Sequence, residues 1–146
     1  MALHSTVRLT LRGSQRMSSQ DAPDVTELIT QASCRLKDGV HYLFYEEAQE
    51  DGGTLRCRLR FDGTQLHVRK EGPGGYELDL KSGESRPFTL PTPMGLLGLD
   101  LTGVQIDLVQ GPDALRLLAR YELWYGDALL SINETEILAE NLAIDA

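Results

Sequence analysis

Cysteine is scarce in this 146-residue chain: Cys34 and Cys57 stand far apart and outside any CxxC spacing. Such a pair reads as two reduced, buried thiols rather than a disulfide framework. The three histidines, His4, His41 and His67, make no HxH or HExxH spacing and are not joined by the cysteines, so no metal site is expected. The Gly-x-Ser-x-Gly nucleophile turn, the phosphate loop and the dinucleotide fingerprint are all missing, and no cofactor or catalytic motif is expected. Long apolar runs are absent too. No stretch approaches the roughly 18 apolar residues that span a bilayer. The N-terminal segment Met1–Arg8 carries no apolar run of signal length, so a cytoplasmic location is expected. Helical periodicity is nearly absent, with only a short candidate at Ile137–Leu142. No repeat of 20–50 residues suggests a solenoid.

Positive charge is in deficit. The chain holds 14 Lys+Arg against 22 Asp+Glu, a net charge of -8. That balance argues against nucleic acid and anionic membranes as partners. The deficit is uneven. Residues 121–146 contain six acids and no Lys or Arg, whereas five bases crowd between Arg56 and Lys70.

What is present is alternation of period two, broken about every ten residues by Gly, Asp or Pro. Leu55, Cys57, Leu59 and Phe61 alternate with Arg56, Arg58 and Arg60; Leu115 to Tyr125 alternate in the same way. Turn signals separate the runs, among them Asp51-Gly52, Asp62-Gly63, Gly111-Pro112 and Gly126-Asp127. Gly13–Pro23, rich in Ser and Gln, reads as a loop. Pro87–Pro93 suits a sheet edge or a crossover. The expectation is one all-β domain over 1–146, with its core at about 5–140. It is a single closed antiparallel meander β-barrel of about 8–10 strands, calycin- or lipocalin-like, because closure removes exposed edges.

Turn chemistry also predicts register. Centring turns on Asp51-Gly52 and Asp62-Gly63 sets Tyr45, Arg58 and His67 in one row, and Glu47, Arg56 and Arg69 in the next. Glu77 then meets Arg69, and Asp79 meets His67. The opposite, apolar face carries Phe44, Leu59, Leu66 and Leu80, with Cys57, Val68 and Leu78 beside them. Toward the C-terminus, Leu108 should meet Leu115, Asp107 should face Arg116, and Tyr121 should lie beside Ile132. Tyr42, Phe44, Phe61 and Tyr121 read as core. Glu46-Glu47, being adjacent in a strand, point to opposite faces and are poorly placed to share acid–base work.

The run His41-Tyr42-Leu43-Phe44-Tyr45-Glu46-Glu47 resembles the Tyr-Leu-x-Tyr-x-Glu signature of the YwiB-like family, small uncharacterised bacterial proteins with a calycin-like barrel. The resemblance continues in order through Arg58, Arg69, Thr92-Pro93-Met94-Gly95, Thr102, Tyr121-Glu122-Leu123 and Asn133, covering about residues 5–140. Met94 stands where the family has an aromatic, and Arg58 where Lys is common. The resemblance implies the barrel, a bacterial origin and a cytoplasmic location, and it implies no function.

Two functional expectations follow. The first is a non-enzymatic protein binding a small ligand, an anion among the candidates, at the barrel mouth or the arginine cluster; the site residues are Tyr45, Glu47, Arg56, Arg58, His67, Arg69 and Tyr121. The alternative is a protein-interaction module or homodimer that uses the Pro87–Pro93 edge and takes no small ligand. An enzyme using Tyr45, His67 and Asp79 needs those three on one face.

Overall fold

Alternation becomes strand wherever it occurs. The computed structural model describes residues 5–19 and 21–142, so His4 lies outside the described residues. The strands are β1 (Thr6–Met17), β2 (Asp24–Lys37), β3 (Val40–Ala48), β4 (Thr54–Phe61) and β5 (Gln65–Glu71). They continue with β6 (Glu77–Lys81), β7 (Arg86–Thr92), β8 (Gly95–Gln110), β9 (Ala114–Tyr125) and β10 (Ala128–Asn141). Two local expectations change. β1 runs on to Met17 through the first part of the supposed loop, and the short helical candidate is the end of β10. In both, pairing along a long neighbour outweighs weak local propensity.

All ten strands join one antiparallel sheet in the order β6-β5-β4-β3-β2-β1-β10-β9-β8-β7. First and last strands pair, as in a meander barrel, and Val7 lies opposite Asn141. The expected closure is not completed. β6 and β7, neighbours in sequence, are the two sheet edges and form no ladder with each other. The sheet is a curled, open barrel with a seam. One end of the seam is tied: Gly83 N–H donates to the Val104 carbonyl at 3.1 Å, and Arg86 of β7 pairs with Asp79 of β6 at 2.9 Å.

Prolines explain the open edge. The two-residue loop Pro93-Met94 makes Thr92 and Gly95 the closing pair of the β7–β8 hairpin. By alternation, residues 86, 88, 90 and 92 then bond β8, while 87, 89 and 91 turn outward. Pro87 and Pro91 occupy two of those three outward positions and have no N–H to offer a further strand.

Register departs from expectation at particular turns. The Gln49 N–H bonds the Gly53 carbonyl, enclosing the three residues Glu50-Asp51-Gly52, with Gly52 at φ 90°. Tyr45 therefore lies opposite Cys57, not Arg58. This one-residue slip turns β3 over: Tyr45 and Glu47 face inward, while Phe44 and Tyr42 face outward rather than joining the core. At the next turn Asp62 accepts from Thr64 N and Gln65 N, which centres the loop on Gly63-Thr64. Arg58 then meets Arg69 and Arg60 meets His67. A two-residue shift preserves the face, so the arginines remain outside. The β5–β6 register is as expected, with Arg69 opposite Glu77 and His67 opposite Asp79.

The C-terminal hairpins contain two bulges. Gly126-Asp127 forms the expected turn, but a register shift between Leu129 and Ser131 places Tyr121 beside Asn133 rather than Ile132. Leu108 meets Leu117, and Arg116 bonds Glu136 instead of Asp107. A second shift between Thr102 and Gln105, at Gly103 with φ 66°, swaps the inward parity of β8. Leu99 and Leu101 point inward before it, Val104 and Ile106 after it.

The core fills one end of the barrel. Leu9, Leu43, Phe61, Leu80, Leu117 and Ile137 are buried there, each contributing about 1.5–3 kcal/mol of apolar burial. His41 lies in the same layer, its ring stacked on Phe61 at 5.3 Å. Burial pushes its pKa below the ordinary value despite the nearby Asp62 carboxylate.

Candidate functional site

At the other end the inward rows turn polar. β3 ends in Tyr45 and Glu47, β5 in Lys70, β9 in Tyr121, and β10 begins with Ser131 and Asn133. On β1 the inward row Val7, Leu9, Leu11 is interrupted at Gly13 before Gln15, and a Cβ at Gly13 would stand 3.1 Å from Thr26 Oγ1. The missing side chain keeps the mouth hollow. A cavity of about 320 Å³ results, floored by Leu11, Leu59 and Val68 and walled by Tyr45, Glu47, Lys70, Tyr76 and Tyr121. It shares Tyr76, Leu78 and Tyr121 with a wider chamber of about 780 Å³ that also touches Phe88, Leu90 and Asn133. That chamber spans the seam between β6 and β7. Both volumes lie within the range of small-molecule sites, roughly 300–1,000 Å³.

The polar wall has one satisfied pair and one orphan. Lys70 Nζ donates to Glu47 Oε2 at 2.9 Å and lies 5.4 Å from the centre of the Tyr76 ring. Burial works against the Lys70 charge, but the bond to Glu47 and the nearby Tyr76 prevail, and its pKa is raised. Tyr45 is 6% exposed, and its hydroxyl has no hydrogen-bond partner. Burial, then the neighbouring Cys57 and Glu47, push its ionisation well above the ordinary tyrosine range. The group is a neutral phenol whose polar neighbour is the Cys57 thiol, a weak hydrogen-bond partner. Burial also pushes Tyr121 up to about 12, with Tyr76 adding to the effect. Cys57 remains a thiol because burial raises its pKa. Cys34 and Cys57 are both free. Asn133 Nδ2 donates to Ser131 Oγ at 3.0 Å, so that buried pair is internally satisfied.

The seven sequence-derived site residues divide between two faces. Tyr45, Glu47 and Tyr121 line the mouth. Arg56, Arg58, His67 and Arg69 lie on the outside of the sheet, so the expected single polar face does not exist. His67 Nε2 donates to Glu77 at 3.2 Å, and its Nδ1 accepts from Arg58 at 3.4 Å. Tyr45 and His67 are on opposite faces, and Asp79 is held by Arg86. The Tyr45–His67–Asp79 arrangement therefore cannot act as one proton-handling unit. Lys70 and Tyr76 were missed. Lys70 shares parity with Leu66 and Val68, a signal that was available; Tyr76 precedes β6 and carries none. A further groove of about 490 Å³ runs past Arg86, Asp100, Glu122 and Trp124. In it Trp124 Nε1 donates to Glu122, and Arg86 is held from outside the groove by Glu84 and Asp79.

Residues 9–137 match the model of a domain of unknown function, DUF1934. The chain belongs to this family. A crystal structure of the YwiB protein from Bacillus subtilis superposes on the DUF1934 chain with TM-score 0.70 and 17% identity, over 96% of this chain and 95% of that one. That likeness establishes the shared all-β fold. No curated protein matches the DUF1934 chain. The family description carries no activity, and the function is unknown. In its Thr92–Gly95 turn, Met94 is 98% exposed, so no stacking contact is made there. Among the described residues no helix is long and apolar enough to cross a membrane, and no cluster of three His, Cys, Asp or Glu could hold a metal ion.

Proposed function

We propose that this DUF1934 chain is a non-enzymatic binding protein of the cytoplasm, holding one small organic ligand in the polar mouth of its barrel. The observation that carries this reading is the hollow of about 320 Å³ with a polar wall of Tyr45, Glu47, Lys70, Tyr76 and Tyr121. The Tyr45 hydroxyl is enclosed behind that wall with only the weak Cys57 thiol beside it, so a ligand reaches it once the side chain turns toward the mouth. The ligand's polar group meets Tyr45 and the Lys70–Glu47 pair, while its apolar body rests on Leu78, Phe88 and Tyr121. Glu47 already neutralises Lys70, which favours an uncharged polar group such as an alcohol, phenol or amide over an anion at this site. Two free thiols agree with a reducing compartment.

Thermal-shift measurement against a panel of small phenols, alcohols and amides tests the proposal. At least one should raise the melting temperature of the wild type. Gly13→Leu should abolish that shift by filling the mouth, and Tyr45→Phe should reduce it. A panel that leaves the wild type unmoved, or shifts that survive Gly13→Leu, would overturn the reading. The alternative, pairing between copies through β7, has less support, because Pro87 and Pro91 blunt that edge.

A further inference from the structure

We infer that the outer face of β3–β5 carries a second, separate site that takes an oxyanion of the phosphate type. The site is a depression of about 200 Å³ lined by Phe44, Arg56, Arg58, Arg69 and Glu71. Arg58 stands between Phe44 on β3 and Arg69 on β5, each directly opposite it. Like charges facing each other across strands repel, so this arrangement needs a nearby anion.

The protein's own carboxylates answer Arg69 and stand opposite Arg56, but among the described residues none pairs with Arg58. Arg69 is held by Glu71 at 2.7 Å and by Glu77 at 3.7 Å. Arg86 is held by Asp79 and Glu84, Arg116 by Glu136, and Lys70 by Glu47. Among the described residues Arg58 forms no ion pair. Its single hydrogen bond is the 3.4 Å contact to His67 Nδ1, and its Nε is shut off from solvent with no partner. The Nε–H is thus enclosed, while Arg58 as a whole is only half-buried, so the outer part of its side chain is what an anion can meet. Arg56 is exposed beside it, opposite Glu46 across β3 and Glu71 across β5.

Three guanidinium groups converge from two strands rather than lying in one plane. That spread suits the several oxygens and multiple charge of a tetrahedral oxyanion better than a flat carboxylate. Glu71 is the opposing feature: it engages one side of Arg69 and leaves Arg58 and Arg56 as the principal donors. Phe44, 43% exposed, forms an apolar wall on which an attached ring can rest. The site is independent of the barrel mouth, which lies on the other side of the sheet.

Arginine Nε–H NMR spectra of the full chain, titrated with sodium phosphate and with sodium chloride at matched ionic strength, provide the test. Phosphate should shift the Arg58 Nε–H resonance saturably, while chloride should not. Arg58→Gln should weaken phosphate binding about tenfold, the order expected for one lost charge-assisted contact. Arg58→Lys, which keeps the charge but loses the fork, should weaken it as well, whereas Arg116→Gln should leave it intact. Phenyl phosphate serves as the second probe. Tighter binding than phosphate, cancelled by Phe44→Ala, assigns the anion to an aromatic phosphoester; equal binding assigns it to free phosphate. Equal shifts with chloride, or phosphate binding unaltered in both Arg58 variants, would overturn the proposal.

Discussion

Tyr45 shows how one side chain can be at odds with its surroundings. Its ring packs in the core while its hydroxyl goes unbonded. Tyr45→Phe should therefore stabilise the ligand-free protein by about 1 kcal/mol, because it removes an unsatisfied buried group and leaves the ring. Urea unfolding checks this, and a loss of stability would mean that the hydroxyl has a partner. Lys70 is the converse case. Lys70→Met strands Glu47 in the mouth and should cost about 1–3 kcal/mol. The folded pKa of Lys70 lies above its ordinary value, so the pair's stabilisation is fully present below about pH 10.5 and is lost as pH climbs through the folded pKa. The mutant should lack that alkaline component in urea midpoints measured from pH 8 to 12.

Among the elements, β3 and β7 teach the most. A three-residue loop in place of a two-residue one decides which face of β3 meets the cavity. Deleting Asp51 should favour a two-residue turn and drive Phe44 inward in place of Tyr45. A broadened, less cooperative unfolding transition is the expected outcome, read by circular dichroism. Strand number, the separation of the arginines from the apolar row of β4 and the β5–β6 register were legible because alternation and Gly-containing turns act locally, whereas which side of the barrel the arginines take was not. The face of Tyr45 and Glu47 was not, since Asp51-Gly52 suits a two-residue turn and a three-residue loop equally well and only the closed hairpin distinguishes them. The two bulges were also hidden: Gly103 in a strand can mark a bulge or merely a weak position. For β7, restoring two N–H groups with Pro87→Thr and Pro91→Thr should create a pairing edge. Light scattering should show concentration-dependent association in that double variant beyond any seen in the wild type.

At the scale of the whole molecule, buried phenols set the alkaline limit. Tyr121 ionises in the fold only at about 12, against an ordinary value of 10.0, and Tyr45 ionises higher still. Above pH 10 the unfolded chain loses these protons while the native one keeps them, so stability falls with rising pH. Tyrosinate absorbance should consequently show a late rise in which Tyr45 and Tyr121 ionise together with unfolding.

The seam has a consequence for the order of folding. Because the break separates β6 from β7, the pairing of β1 with β10 must bring together the two ends of the chain, from Val7 to Asn141. Such distant pairing raises contact order and slows folding. Joining the ends of β1 and β10 by a short linker, and opening the chain at Ser82–Ser85, would turn that pairing into an ordinary hairpin. Every strand would then pair only with its sequence neighbours. The circular permutant should refold faster than the natural chain and bury the same core.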